Sequence, residues 1–351
     1  MNVEQVIAVA KEWVDAEASR MPGFCGAHLM GGVTYTPRQS TFPAYRDVDM
    51  SIILEGKQEL GVHDVAYRGL ILEYGEHGVE RYAQPPTVLA DPELASNLVA
   101  DSILADPHGM LAPLQAAVRQ EYARRKWVLA RCDAGAAGAQ RYLAAVGQQQ
   151  TLAGFQVCLV NFLLGMTEQC ASATLAPPTH RRCLVVMRQA LEGYGEGALA
   201  ERVLALIGFA HLTPAAVAGY LHECMVTFDR AVQIVRSPVI YKFKLQPHVR
   251  PYVVEGSQEM IDQGFHREAM YWIWTNLAVA NNAIQTDGDD ADKRLYQAKL
   301  GPTAVTLWAC RLRGTCVPAP QKARTQGTSP HCTIHYAGYR QSSAGSGQAN
   351  G

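Results

Sequence analysis

The stretch that decides the fold is Gly31-Gly32, followed after fourteen intervening residues by Asp47-Val48-Asp49-Met50-Ser51-Ile52-Ile53-Leu54. Apolar side chains occupy every second position from Val48 to Leu54, and both aspartates fall on the opposite face. A period of two with β-branched residues predicts a strand. On that strand the two carboxylates lie about 7 Å apart, at a rise of about 3.4 Å per residue.

Two ionised carboxylates this close together repel each other, and in a partly buried site each raises the pKa of the other unless a cation lies between them. Mg²⁺ prefers oxygen ligands of this kind and leaves coordination positions for phosphates and water. A third acid, Glu73, lies in the otherwise apolar run Leu70–Tyr74, where a carboxylate needs a partner. The alternative interpretation, an Asp-x-Asp pair on the exposed face of an amphipathic strand, stays open at this point.

The surrounding pattern predicts an α+β first domain with a small mixed β-sheet, followed by a mainly α-helical domain. We expect a catalytic domain at 1–130 and a helical acceptor-binding domain at 131–310, with 311–351 as a disordered tail that is too polar to pack. Further strands are predicted at 65–74 and 78–82, separated by a turn at Gly75–Gly78. Helical periodicity predicts helices at 2–21, 93–104, 110–131, 137–147, 151–171, 180–194, 197–208, 213–236 and 265–285.

Composition narrows the classes of function. The chain has 351 residues, 48% of them hydrophobic and 18% charged, with a net charge of −1. This balance disfavours a nucleic-acid partner, and the lack of a long apolar run disfavours a membrane partner. The nine cysteines are scattered without a C-x-x-C pair, and no signal peptide is evident at the N-terminus. These features predict reduced thiols and a cytoplasmic location.

The Gly31-Gly32 turn, the Asp47-x-Asp49 strand and the later Glu73 together resemble the polymerase-β-like nucleotidyltransferase superfamily. The helical second half makes the chain most similar to the kanamycin and aminoglycoside nucleotidyltransferases. The resemblance implies that Asp47, Asp49 and Glu73 are catalytic and hold a pair of Mg²⁺ ions.

The same resemblance implies an NTP site beside the turn, with ATP as the expected nucleotide. Gly31 and Gly32 would let the backbone approach the phosphates, Thr34 would supply a hydroxyl, and Arg46 would steer the nucleotide. The reaction would move a nucleoside monophosphate to a hydroxyl of a small molecule, such as an aminoglycoside-like sugar, and release pyrophosphate. A cationic acceptor fits the net charge of −6 that residues 1–310 carry.

Three alternatives remain: transfer to RNA, transfer to a protein, and a non-catalytic nucleotide-binding protein on the same scaffold. The basic runs Arg124-Arg125-Lys126 and His180-Arg181-Arg182 are candidate phosphate or substrate contacts, although a solvated helix face or helix start is the favoured explanation of each. Glu268 is a candidate general base, which the sequence cannot distinguish from other acids of the helical half.

Overall fold

The computed structural model describes residues 1–57, 61–149 and 152–299. The predicted tail, 311–351, lies outside these residues. The chain begins with α1, Val3–Ala16, where Asn2 and Gln5 form a reciprocal capping box with each side chain bonded to the other's backbone N–H. The buried side of α1 then packs against the sheet, since Val3, Val6 and Val14 belong to one core with the strand residues.

A five-stranded mixed sheet forms the first half of the molecule. Its strands are β1 (Phe24–Leu29), β2 (Asp47–Leu54), β3 (Gly61–Tyr67), β4 (Leu70–Gly78) and β5 (Ile103–Ala105). The order across the sheet is β3-β4-β2-β1-β5, and β2 and β4 run parallel while the other neighbours are antiparallel. This sheet, together with the helices around it and beyond it, confirms the predicted fold class.

The predicted strands 65–74 and 78–82 are wrong in their bounds. Arg68 and Gly69 take positive φ angles of 47° and 79°, so the chain reverses there and 65–74 is split between β3 and β4. The predicted turn at Gly75–Gly78 is instead strand, because it pairs along its length with β2. Residues Val79–Tyr82 form a 3₁₀ helix rather than a strand. Pairing with a neighbouring strand here overrides the local preference of glycine for turns.

Helices cover the other side of the sheet domain: α2 (Pro85–Ala90), α3 (Pro92–Val99), α4 (Leu111–Glu121) and α5 (Arg125–Val146). The predicted helix 93–104 is therefore too long, since 103–105 is β5. The predicted helices 110–131 and 137–147 are also wrongly divided, because the break falls after Glu121. There the buried Arg131 guanidinium donates to the carbonyl oxygens of Leu89 (3.0 Å) and Tyr122 (2.8 Å). These hydrogen bonds satisfy backbone acceptors next to the break between α4 and α5.

The second half is helical, as predicted. It contains α6 (Leu152–Thr174), α7 (Cys183–Gly193), α8 (Gly197–Leu206), α9 (Pro214–Ile234), α10 (Arg250–Asp262), α11 (His266–Asp287) and α12 (Asp290–Lys299). Helix α11 is buried on nearly all sides, which is typical of the central helix of a bundle. The sequence analysis predicts no helix at α10, where Pro247 and Pro251 indicate a break, but Pro251 lies in the first turn of α10, where proline is tolerated.

Two further observations concern membrane-spanning helices and disulfides. Within the described ranges, no helix combines the length and apolar character that crossing a bilayer requires. None of the six cysteines in those ranges forms a disulfide.

Candidate active site

The parallel pairing of β2 with β4 brings the three predicted acids together. Asp49 lies directly across from Glu73 in the ladder, and Asp47 lies two residues earlier on the same face of β2. One carboxylate oxygen from each of Asp47, Asp49 and Glu73 lies within 4.8 Å of the others, and all three side chains are half-buried. This convergence of oxygen ligands is what a hard divalent cation requires.

Gly31 makes the approach to the carboxylates possible. It takes a positive φ of 62° at the start of the 3₁₀ turn Gly31–Thr34, and its N–H donates to Asn97 Oδ1 at 2.9 Å. A Cβ at this position would collide with Asp49 Oδ2. The adjacent Met30 N–H donates to the carbonyl oxygen of Asp49 at 2.7 Å, which fixes the turn against β2. Glycine is therefore demanded both by the backbone angle and by the space.

The other predicted nucleotide contacts surround the same turn. Gly32 leaves room for the Arg46 guanidinium, which a Cβ there would strike, and that guanidinium lies 5.1 Å from the centre of the Phe42 ring. The Thr34 hydroxyl donates to the Gly31 carbonyl oxygen at 2.7 Å, so in this structure it stabilises the turn rather than pointing freely at a ligand. Arg46 remains close enough to Asp49 to oppose the rise in the pKa of that carboxyl.

The charges at the site are unbalanced toward the negative. The pKa of Asp49 is raised well above its ordinary value, first because the carboxyl is removed from water and second because Asp47 is near, while Lys244 and Arg46 oppose the shift. Burial likewise raises the pKa of Asp64 to about 6, and Lys244 opposes that shift. Burial and neighbouring like charges both disfavour the ionised form of a carboxyl, and at Asp49 and Asp64 these effects exceed the opposing effect of Lys244.

Asp64 and Lys244 are site residues that sequence reasoning missed. Asp64 lies on β3 directly across from Glu73, and its side chain is 1% exposed. Lys244 comes from the short 3₁₀ helix Lys242–Lys244 of the helical half, and its ammonium contacts the Glu73 carboxylate. Asp64 could have been found from the sequence, because an acid in the otherwise largely apolar run Val62–Ala66 indicates a carboxylate on a strand. Lys244 had none, because its place depends on how the two halves of the chain pack.

Aromatic and basic side chains form one wall of the site. The Arg181 guanidinium lies 5.0 Å from the centre of the Tyr252 ring and 5.8 Å from that of Tyr45. The pKa of Tyr252 is raised well above its usual value by burial and then by Asp47. Burial lowers the pKa of His180, and the nearby Asp47 opposes this. The run His180-Arg181-Arg182 directly precedes α7, in keeping with the favoured helix-start explanation, and its Arg181 also contacts the rings of this wall.

An open cleft of about 440 Å³ lies next to this wall. It is lined by Tyr45, Glu255, Gln258, Glu259, Asp262 and Gln263. Tyr45 belongs both to the cleft lining and to the aromatic wall, so the cleft adjoins that wall. The pKa of Tyr45 is raised to about 12 by burial and by Glu259.

Two of the weaker candidates are engaged elsewhere. Arg124 and Lys126 lie near the start of α5 and form ion pairs with Glu121 at 2.9 and 3.4 Å, as expected for an exposed helix end. Glu268 is buried in the helical half, where one carboxylate oxygen accepts from Arg188 Nε at 2.5 Å. A carboxylate held in this way is poorly suited to act as a general base.

Comparison with known proteins adds little to this geometry. No protein-family model matches the sequence, and no curated protein matches it significantly. Among solved structures, the fold is similar to the crystal structure of a nucleotidyltransferase-like protein from Exiguobacterium sibiricum, with 12% identity and a TM-score of 0.31 over 92% of this chain and 96% of that one. A likeness at this level assigns no activity, so the function has to be argued from the side chains.

Proposed function

We propose that the protein is an Mg²⁺-dependent nucleotidyltransferase that moves a nucleoside monophosphate from an NTP, with ATP preferred, to a hydroxyl of a small acceptor. The observation that carries this proposal is the convergence of Asp47, Asp49 and Glu73 within 4.8 Å, beside a glycine turn that leaves space for their approach. Three ionised carboxylates at this spacing repel one another unless a cation lies between them.

The residues present fit a divalent cation. The donors are carboxylate oxygens, and the pKa of Asp49 is raised first by burial and then by the charge of Asp47, both of which a bound divalent cation would offset. Asp47, Asp49 and Glu73 would hold it. When bound, Mg²⁺ would neutralise charge on the phosphates during an in-line displacement at the α-phosphorus, in which the bond to pyrophosphate breaks as the bond to the acceptor oxygen forms and the hydroxyl proton passes to solvent.

The remaining residues bind and orient the nucleotide. Gly31 and Gly32 expose backbone close to the carboxylates, and Arg46 lies against Gly32 with a guanidinium that can bind phosphate oxygens in a forked geometry. Arg181 lies between the rings of Tyr45 and Tyr252 at the same wall. Catalysis at such a site depends mainly on positioning and on charge neutralisation.

The acceptor in this proposal is a small, hydroxyl-bearing cation of the aminoglycoside type. The support is the cleft beside Tyr45, whose lining includes Glu255, Glu259 and Asp262. Carboxylates on the wall of a cleft attract ammonium groups and repel a phosphate backbone. A cleft of this size also suits a small molecule better than a folded macromolecule.

A labelled transfer screen tests the function directly. The full-length protein is incubated with Mg²⁺, each of the four α-labelled NTPs and a panel of amino sugars and neutral polyols, and products are identified by mass spectrometry together with pyrophosphate release. We expect transfer to at least one amino sugar, abolished by EDTA and by Asp49→Asn. Label on RNA or on protein, with none on small molecules, would replace the proposed acceptor with a macromolecular one.

The cleft has its own test. Glu259→Gln should raise the KM for the acceptor about tenfold with little change in kcat, because it removes one charge from the binding wall. Glu196→Gln is the matched control, since Glu196 is exposed and lies outside the cleft lining. Equal effects of the two variants would show that overall charge, rather than this cleft, governs acceptor binding.

A further inference from the structure

The Lys244 ammonium lies inside the carboxylate cluster. Its Nζ is 3.9 Å from Asp47 Oδ2 and 3.6 Å from Asp64 Oδ1, and it contacts Glu73 Oε2. Asp47 and Glu73 are two of the three acids that would hold the metal. A protein cation therefore already neutralises ligands that the divalent cation needs.

The position of Lys244 is built into the fold. The preceding residues turn through Tyr241, which takes a left-handed φ of 59°, and the side chain then runs past the rings of Phe243 and Tyr252, 5.2 and 5.3 Å from Nζ. Only 14% of the Lys244 side chain is exposed. Burying a lysine to this extent is costly unless its charge is paired, so these carboxylates account for its placement.

Asp64 differs from the other three acids in its surroundings. It does not belong to the group whose oxygens converge within 4.8 Å, and both of its carboxylate oxygens are buried without a hydrogen bond. Lys244 is the cation that lies beside it, at 3.6 Å. Because Asp64 lies across from Glu73 on the neighbouring strand, it can pair with the ammonium when Glu73 is occupied otherwise.

We propose that Lys244 is a built-in competitor of the divalent cation. Metal binding requires the ammonium to leave Glu73 and Asp47, and Asp64 is the positioning residue that keeps it beside the site. The reason is electrostatic, since an ammonium and a divalent cation cannot share the same carboxylates at about 4 Å without strong repulsion. This inference rests on the metal site of the proposed function, and its test separates the two.

The test measures Mn²⁺ binding to the full-length protein without nucleotide, from the electron paramagnetic resonance signal of free Mn²⁺. Lys244→Met should tighten binding by about tenfold or more, because the competing charge is removed while the length of the side chain is kept. Lys244→Gln provides a second neutral variant, and circular dichroism checks that each variant is folded. Unchanged or weaker binding in the folded variants overturns the proposal.

A charge-matched control distinguishes competition from a general change of potential. Arg46→Met also removes a positive charge near Asp49, but that guanidinium lies over the Phe42 ring rather than between the carboxylates. We expect less than about a threefold change for this variant, since only the weaker long-range attraction is altered. Equal tightening in the Arg46 and Lys244 variants would overturn competition for the ligands.

Asp64→Asn tests the positioning role. It should weaken Mn²⁺ binding in the wild-type background, because the displaced ammonium loses its partner, and weaken it much less in the Lys244→Met background. Equal losses in both backgrounds would assign Asp64 to the metal directly and overturn its role. If neither the wild type nor the Lys244 variants bind Mn²⁺, the proposed metal site itself fails; if the wild type binds and Lys244→Met is no tighter, only the competition fails.

Discussion

Acids of the sheet and acids of the helical half differ in their partners and in the direction in which their pKa values are shifted. In the helical half, Glu201 accepts from both terminal nitrogens of Arg267, and Asp292 accepts a forked pair of bonds from Arg230. These arginines lower the pKa of both carboxyls. At the sheet, the pKa values of Asp49 and Asp64 are raised instead. An acid with a dedicated arginine serves the structure, whereas acids crowded around one ammonium indicate a ligand.

The largest expected effect is on catalysis by the sheet acids. Asp49→Asn should reduce nucleotidyl transfer by about a thousandfold or more, because it removes a metal ligand while keeping the shape of the side chain. The free energy of unfolding should not fall, since the substitution relieves repulsion between like charges. Initial rates and urea unfolding on the same preparation measure the two effects. Activity within about tenfold of wild type would contradict the assignment of the acids.

The helical acids should show the reverse. Arg188→Met leaves the buried Glu268 without its 2.5 Å ion pair, and we expect a loss of about 3 kcal/mol in the free energy of unfolding. Transfer per folded molecule should stay close to that of the wild type, because this pair lies in the core of the helical half. Chemical denaturation followed by circular dichroism gives the stability. A marginal loss would mean that the Arg188–Glu268 pair is not structural.

Glu168, on α6, is an exception among the acids of the helical half, because its pKa is raised rather than lowered. Burial, and after it the nearby carboxylates of Glu93 and Asp91, together raise the pKa of Glu168 to about 8. Because the folded pKa lies above the unfolded one, the stabilisation it gives is complete below about pH 4 and is lost as the pH rises through about 8.

We therefore expect Glu168→Gln to be more stable than the wild type by up to about 5 kcal/mol at pH 9, and nearly equal to it at pH 4. Thermal unfolding across that pH range measures the difference. A gap between the two proteins that does not widen with pH would refute the raised pKa of Glu168.

The smallest expected effect separates two costs of a side chain at Gly31: the steric contact with Asp49 and the strain of a positive φ angle. Gly31→Ala and Gly109→Ala both place a side chain at a positive φ, 62° and 64°, but a Cβ at Gly109 meets nothing within 4 Å. Gly31→Ala should cost about 1 kcal/mol more than its control, because it also presses on Asp49. Equal losses of stability would mean that the turn gives way without disturbing the carboxylate.

The sequence predicted the parts of the site that depend on local pattern. Alternation from Asp47 to Leu54 predicted β2, and the spacing of the glycine pair and the acids indicated which side chains the structure brings together. It failed where tertiary contacts decide, as in β4, whose glycines read as a turn but pair with β2. Lys244 was missed for the same reason, since no periodicity reports how a distant segment packs against the sheet.

The origin of Lys244 also has a consequence in time. Its ammonium comes from a segment about 170 residues after Glu73, which at a synthesis rate of about 5–20 residues per second corresponds to a delay of roughly 10–30 s. A sheet that folded within that interval would hold the carboxylates of Asp47, Asp49, Asp64 and Glu73 without this counter-charge. The charge balance of the sheet is therefore completed late in synthesis, and from the far half of the molecule.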